Sequence, residues 1–227
     1  MEVFTPQFLS ALAAIVVIDL VLAGDNAIVI ALAARNLPHH LKSRAIVWGT
    51  VGAIVVRTLL TLGVVWLLDV PGLMLAGGVM LVWIAFRLLT DQEGGGHDVV
   101  PAVSFWGAMQ TIVVADAVMG LDNVLAVAGA ANGSSLLVVL GLLISIPIVI
   151  GGSTLILKWI ERFPSIVYLG GAVLAWTAAK MITSEPLVSD SLTGRPVLVW
   201  SIYVVSIFGT LGLAWAANRR RPAVQQS

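Results

Sequence analysis

Seven stretches of 17 to 27 residues, each with at most two charged side chains, leave this chain little choice but to fold inside a lipid bilayer. They lie at about 8–34, 45–68, 72–89, 105–131, 136–157, 166–182 and 197–217. A helix of roughly 20 residues crosses a hydrocarbon core of about 30 Å. Lipid offers the backbone no hydrogen-bond partner, so only helices and closed barrels span it. The stretches are apolar on every side rather than alternating as barrel strands do, which predicts helices. Composition agrees: 59% of the 227 residues are hydrophobic and 11% are charged, against about 25% charged in soluble domains. The expected fold is all-α, a single polytopic membrane domain over residues 1–227 with seven transmembrane helices. The opening Met1-Glu2-Val3-Phe4-Thr5-Pro6 has no basic region before the first span, so that span is read as retained and not as a cleaved signal.

The basic residues orient this bundle. With seven spans, one side receives Arg35, Lys42, Arg44, Arg87, Lys158, Arg162 and Arg219, Arg220 and Arg221. The other side receives Lys180 and Arg195. Positive charge collects on the cytoplasmic face, which predicts a plasma-membrane (inner-membrane) protein with its N-terminus outside and its C-terminus cytoplasmic. The triple arginine reads as an anchor to anionic headgroups. A formal net charge of zero gives no reason to expect nucleic acid as a partner. With no cysteine, disulfides, thiolate metal sites and thiol redox chemistry are excluded.

The polar stretch 91–103, with Gly94-Gly95-Gly96, is a cytoplasmic linker between two related halves, 8–90 and 104–183. Asp19-Leu-Val-Leu-Ala-Gly-Asp25-Asn26 in the first span is answered by Asp116-Ala-Val-Met-Gly-Leu-Asp122-Asn123 in the fourth, both aspartates 97 positions on (19 to 116, 25 to 122). Gly77-Gly78-Val-Met-Leu81-Val-Trp83-Ile-Ala85-Phe-Arg87 is answered by Gly170-Gly171-Ala-Val-Leu174-Ala-Trp176-Thr-Ala178-Ala-Lys180, agreeing in type at seven of eleven positions. Three spans per half is an odd number, so the second copy runs inverted through the membrane. Inverted repeats are characteristic of secondary transporters, whose sites lie near the midplane where the halves meet. The seventh span, 197–217, has no repeat partner and is read as an addition.

Four of the twelve acidic residues, Asp19, Asp25, Asp116 and Asp122, lie deep in spans. Each costs roughly 2.5 to 3.5 kcal/mol at a helix centre facing lipid. They must therefore face the interior and be protonated, paired or metal-bound. A helix loosened at Gly24 and at Gly120 would swing the carboxylates inward and free backbone carbonyls as ligands. The expected metal shell is Asp19, Asp25, Asn26, Asp116, Asp122 and Asn123. Oxygen-rich and without thiolate or histidine, it suits Mn²⁺, Mg²⁺ or Ca²⁺ and disfavours Cu(I) and Zn²⁺. The alternative is that these aspartates are protonated and merely bridge helices. No organic cofactor is expected.

Several residues carry two readings. Arg57, the one basic residue deep in a span, either pairs with a carboxylate when the ion has left, or forms a fixed ion pair or snorkels. Met119 is either a thioether ligand favouring Mn²⁺ over Ca²⁺ or core packing. His39, His40 and His97 are expected in cytoplasmic loops, solvated or attracting metal. The pairs Gly77-Gly78, Gly151-Gly152 and Gly170-Gly171 are expected to permit close helix packing. Trp83 and Trp176 read as interfacial anchors or packing.

With Asp19…Gly24-Asp25-Asn26, Asp116…Leu121-Asp122-Asn123 and the three-plus-three repeat in place, the whole chain resembles the TerC family of bacterial membrane proteins, in a short form without an appended soluble domain. The resemblance implies a manganese exporter or a related metal-cation transporter, within a wider superfamily of cation and amino-acid exporters. The family's name reflects an association with tellurium resistance. The spacing and composition alone imply a divalent cation at a midplane site. A transporter of that kind is expected to exchange it for protons, since carboxylates buried together titrate as a coupled set, and to work by rocking one repeat against the other. Two other classes compete. An intramembrane aspartyl protease needs one proton-sharing pair of carboxylates, not two pairs related by symmetry, so an enzyme is not expected. A scaffold or metal-delivery partner in a resistance or secretion complex is compatible with transport. A retinal protein would need a Schiff-base lysine in 197–217, which has none.

Overall fold

The computed structural model of the chain describes residues 5–22, 24–63, 70–90, 104–131 and 134–220, leaving out the side chains of Leu22, Asp122, Leu125 and Arg220. The described residues form helices and no strand. In chain order these are α1 (Pro6–Leu22), α2 (Gly24–Ala34), α3 (His39–Leu62), α4 (Leu73–Thr90), α5 (Phe105–Ala131), α6 (Ser135–Arg162), α7 (Ile166–Ser184), α8 (Pro186–Leu192) and α9 (Pro196–Arg220). The linker 91–103, with His97, and Arg221 of the arginine cluster lie outside the described residues.

Five helices, α3, α4, α6, α7 and α9, are long and apolar enough to cross a membrane, and α1 with α2, bent by 49° between them, adds a sixth if the pair is counted as one span. The apolar part of α5 runs over Phe105–Leu121. Large apolar side chains such as Val21, Leu59, Trp106 and Leu169 stand on the outside. In water such a surface would drive association; against lipid it is the ordinary exterior of a spanning bundle. Hydroxyls inside the spans satisfy themselves by donating to carbonyls one turn back, as Thr61 does to Arg57 (2.8 Å) and Ser153 to Val149 (2.7 Å).

The bundle pairs helices from the two halves. α3 packs on α5, α4 on α7, and α6 on both α1 and α2. Glycines set the closest approaches. A Cβ at Gly49 of α3 would lie 2.7 Å from Ile112 of α5, and one at Gly141 of α6 would collide with Ile15 of α1. A Cβ at Gly78 of α4 would stand 2.7 Å from Ile182 of α7, and one at Gly171 of α7 would stand 2.6 Å from Leu89 of α4. The third expected pair behaves otherwise. Gly151, on the exposed face of α6, has nothing within 4 Å of its would-be Cβ, and half-buried Gly152 meets only Ala27 at 3.9 Å. α9 packs on α7 and α4. Only 11% of its most apolar 18 residues is buried, against 33–44% in α3, α4, α6 and α7, so it lies at the periphery.

Three expectations change in detail. The chain bends by 49° between α1 and α2, as Gly24 suggested, but α5 runs unbroken through Gly120. His39 and His40 are not in a loop: Pro38, extended at φ −52° and ψ 143°, sets the start of α3, and both histidines lie exposed in its first turn. The connection after α7 holds the short helix α8. There Glu185, only 2% exposed, accepts the backbone N–H groups of Gly72 (3.0 Å), Met74 (3.1 Å) and Leu75 (3.4 Å) at the start of α4. Gly72 takes φ +81°, a conformation that suits glycine. The unpaired amides of a helix start favour an anionic acceptor. These bonds, that from Gly72 foremost, hold the Glu185 carboxyl below the usual glutamate range.

Candidate functional site

Three helices bring three buried charges to one point: Asp19 on α1, Arg57 on α3 and Asp116 on α5. Arg57 donates from Nη1 to Asp19 Oδ1 at 2.6 Å, from Nε to Asp116 Oδ2 at 3.2 Å and from Nη2 to Asp116 Oδ1. The guanidinium fork thus grips Asp116 with two nitrogens and Asp19 with one. The three residues are 1%, 3% and 6% exposed for Asp19, Arg57 and Asp116. Snorkelling is therefore not the role of Arg57. Gly120, one turn after Asp116, lies alongside this arginine: a Cβ there would be 3.6 Å from Nε and 3.8 Å from Cγ. The glycine expected to break the helix instead leaves a methyl's worth of room beside the guanidinium.

The second carboxylate of the first motif lies just past the bend. Asp25 is in the first turn of α2, where the N-terminal amides of a half-helix favour negative charge. Its Oδ1 accepts the backbone N–H of Asn26 (2.9 Å) and its Oδ2 accepts the hydroxyl of Thr177 on α7 (3.1 Å). Arg57 lies within electrostatic reach of it. Asn26 and Asn123 are both buried, on α2 and α5. Asp122 is on α5, and its side chain lies outside the described residues. Among the described residues no three His, Cys, Asp or Glu side chains cluster closely enough to hold a metal. The convergence that is described is of Asp19 and Asp116, with a guanidinium between them.

Met119 packs in the main apolar cluster with Val118, Leu81 and Met181, the packing alternative for this residue. Trp83 is 56% exposed with Arg87 5.5 Å from its ring, whereas Trp176 packs against Tyr203 of α9 at 4.5 Å between ring centres. Two residues escaped the sequence reading. Thr177 occupies the position answering Ile84 in the repeat, and a hydroxyl breaking an apolar match was the signal for it. Nothing in the sequence near Glu185 points to Gly72.

The Integral membrane protein TerC family profile matches residues 4–222. The membrane protein YjbE of Bacillus subtilis (strain 168) is 44% identical over 183 residues, covering 81% of this chain and 84% of YjbE. The UPF0053 protein YegH of Escherichia coli (strain K12) is 29% identical over 72% of this chain, which spans only 34% of YegH. YkoY of Bacillus subtilis (strain 168) is 22% identical over 71% of this chain and 56% of its own length. No solved structure matches. A bundle of apolar helices with paired acidic motifs, matched almost end to end, establishes that the chain is a multi-pass membrane protein belonging to the TerC family.

Proposed function

We propose that this protein is a secondary transporter that exports a divalent metal cation, with Mn²⁺ as the expected cargo, in exchange for protons. The observation that carries the reading is the meeting of Asp19 and Asp116 on one guanidinium in the bundle interior. These are equivalent positions of the two acidic motifs, and buried charge kept at such cost inside a membrane is a functional feature by default. The proposed ion pathway is lined by Asp19, Asp25, Asn26, Asp116, Asp122 and Asn123. Hard oxygen donors of this kind favour Mn²⁺, Mg²⁺ or Ca²⁺, and the resemblance selects manganese. Carboxylates that bind a metal must give up protons, so metal uptake and proton release are linked.

The inverted repeat has support from packing. The contact of Gly49 with Ile112 corresponds to that of Gly141 with Ile15, since 15 and 112 are 97 apart and 49 and 141 are 92 apart. The contact of Gly78 with Ile182 corresponds to that of Gly171 with Leu89, both members 93 positions apart. Reciprocal contacts of this kind are what a two-fold axis between homologous halves produces. A helix of 27 residues, the length of α5, is about 40 Å long and sufficient to span, which makes seven spans. The basic residues then put the N-terminus outside and the C-terminus in the cytoplasm of the plasma membrane.

The test is export from cells and uptake into inverted vesicles, run with Mn²⁺, Ca²⁺, Mg²⁺ and Zn²⁺ side by side. Asp25→Asn and Asp122→Asn are each expected to abolish Mn²⁺ movement while the protein still inserts. Full Mn²⁺ flux through both variants would refute the site.

A further inference from the structure

The two halves differ at one residue that decides the charge of the centre. Asp19 and Asp116 answer one another, but the cation between them comes from one half alone. The shift of 92 that carries Gly49 to Gly141 carries Arg57 to Val149, a buried apolar side chain of α6. One guanidinium therefore serves two symmetry-related carboxylates, by a fork to Asp116 and a single bond to Asp19. Two ionised carboxylates and one monovalent cation leave the buried triad one positive charge short. A structural ion pair gains nothing from such an imbalance, because unpaired charge in an apolar interior is costly. A divalent ion in the same place would balance the two carboxylates in full.

We infer that Arg57 is a tethered stand-in for the transported ion, holding Asp19 and Asp116 together when the carrier is empty and yielding them when a divalent cation arrives. This deepens the transport reading and rests on it. The tether shields the carboxylates from each other in the empty carrier, so the empty protein can close and return. It also competes with the substrate, and a site occupied by an internal competitor has its apparent affinity reduced by that occupancy. Gly120 puts no side chain against the guanidinium: a Cβ there would be in ordinary contact with Nε at 3.6 Å, so the glycine leaves the room of one methyl beside it.

The experiment measures Mn²⁺ binding, from the free-ion paramagnetic resonance signal, to the full chain in lipid nanodiscs at pH 8, with Mn²⁺ transport by proteoliposomes in parallel. R57Q is expected to bind Mn²⁺ at least about tenfold more tightly while its transport slows at least about tenfold, an opposed change that simple loss of structure would not give. R57K keeps the charge but lacks the planar fork that grips Asp116 with two nitrogens, so it is expected to bind about threefold more tightly and to slow transport less than R57Q does. A folded R57Q that binds Mn²⁺ no more tightly than the unmodified protein overturns the inference. Should R57Q not fold, R57K decides in the same way, and equal or weaker binding overturns the inference. Failure of the unmodified protein to bind Mn²⁺, Mg²⁺ or Ca²⁺ removes the transport reading. Even then, R57Q gaining Mn²⁺ binding would uphold the tether, and R57Q binding none would remove it as well.

Discussion

The hydroxyl of Thr177 donates to Oδ2 of Asp25 across 3.1 Å and so joins α7, in the second half of the chain, to the opening turn of α2 in the first. A hydrogen bond to a charged group is worth roughly 1.5 to 3 kcal/mol, and the Asp25 carboxylate is half-buried, which puts this bond at the low end. Thr177→Val is therefore expected to lower stability by about 1.5 kcal/mol. Thr177→Ser, which keeps the hydroxyl, should recover most of it. Unfolding in detergent, followed by denaturant titration of both variants, checks this.

The unequal grip of Arg57 on its partners predicts unequal losses. Asp116→Asn leaves an amide whose single oxygen can accept only one of the two N–H groups of the fork, while Asp19 still balances the arginine through its one bond. That variant should lose about 1.5 kcal/mol, the contribution of a hydrogen bond to a charged group, because no unpaired charge is left behind. Asp19→Asn leaves a neutral, forked pair and should lose clearly less. A thermal melt of the two side by side gives the order, and the reverse order would contradict the geometry.

Close approach at Gly141 makes a third test. A Cβ there would collide with the branched side chain of Ile15, close to its backbone, so Gly141→Ala should destabilise by about 1 to 3 kcal/mol through overpacking. Ile15→Ala in the same molecule should restore part of the loss. Gly151→Ala, where nothing lies within 4 Å, should be neutral or stabilising because alanine is the better helix former.

Glu185 predicts a pH dependence. Its carboxyl is held below the ordinary glutamate range by the amides that start α4, and a depressed folded value means stability that is present above the unfolded pKa of about 4.3 and lost as pH falls through the lower folded value. Glu185→Gln should melt earlier than the unmodified protein at pH 7. The gap between the two should narrow below about pH 4. A gap constant across that range would show that the carboxylate charge is irrelevant to the cap.

Much of this architecture was legible because membranes punish ambiguity. Uncharged runs of span length, positive charge gathered in alternate connections and aspartates in forbidden places are all written in residue type. The span 105–131 agrees with α5 to the residue, since flanking polar residues delimit it. Helix starts such as His39 were harder, because exposed polar turns outside the lipid lack an apolar period and only Pro38 marks the boundary. The bend between α1 and α2 was legible from Gly24, but Gly120, in the same motif position less one, bends nothing. A glycine permits a bend without requiring one. Which partner Arg57 chose was open in the sequence. Partner choice depends on how three helices rotate against each other, and residue spacing along one helix does not report that.

The cap that Glu185 places on α4 fastens two antiparallel rods at one tip. α7 ends where α4 begins, and the carboxylate ties the two points directly. Rods pinned in this way separate as the jaws of a clothes peg do, with the pinned tip as fulcrum. Splaying between the halves along this seam is then directed to the opposite end, on the side where Arg87 and Lys158 gather.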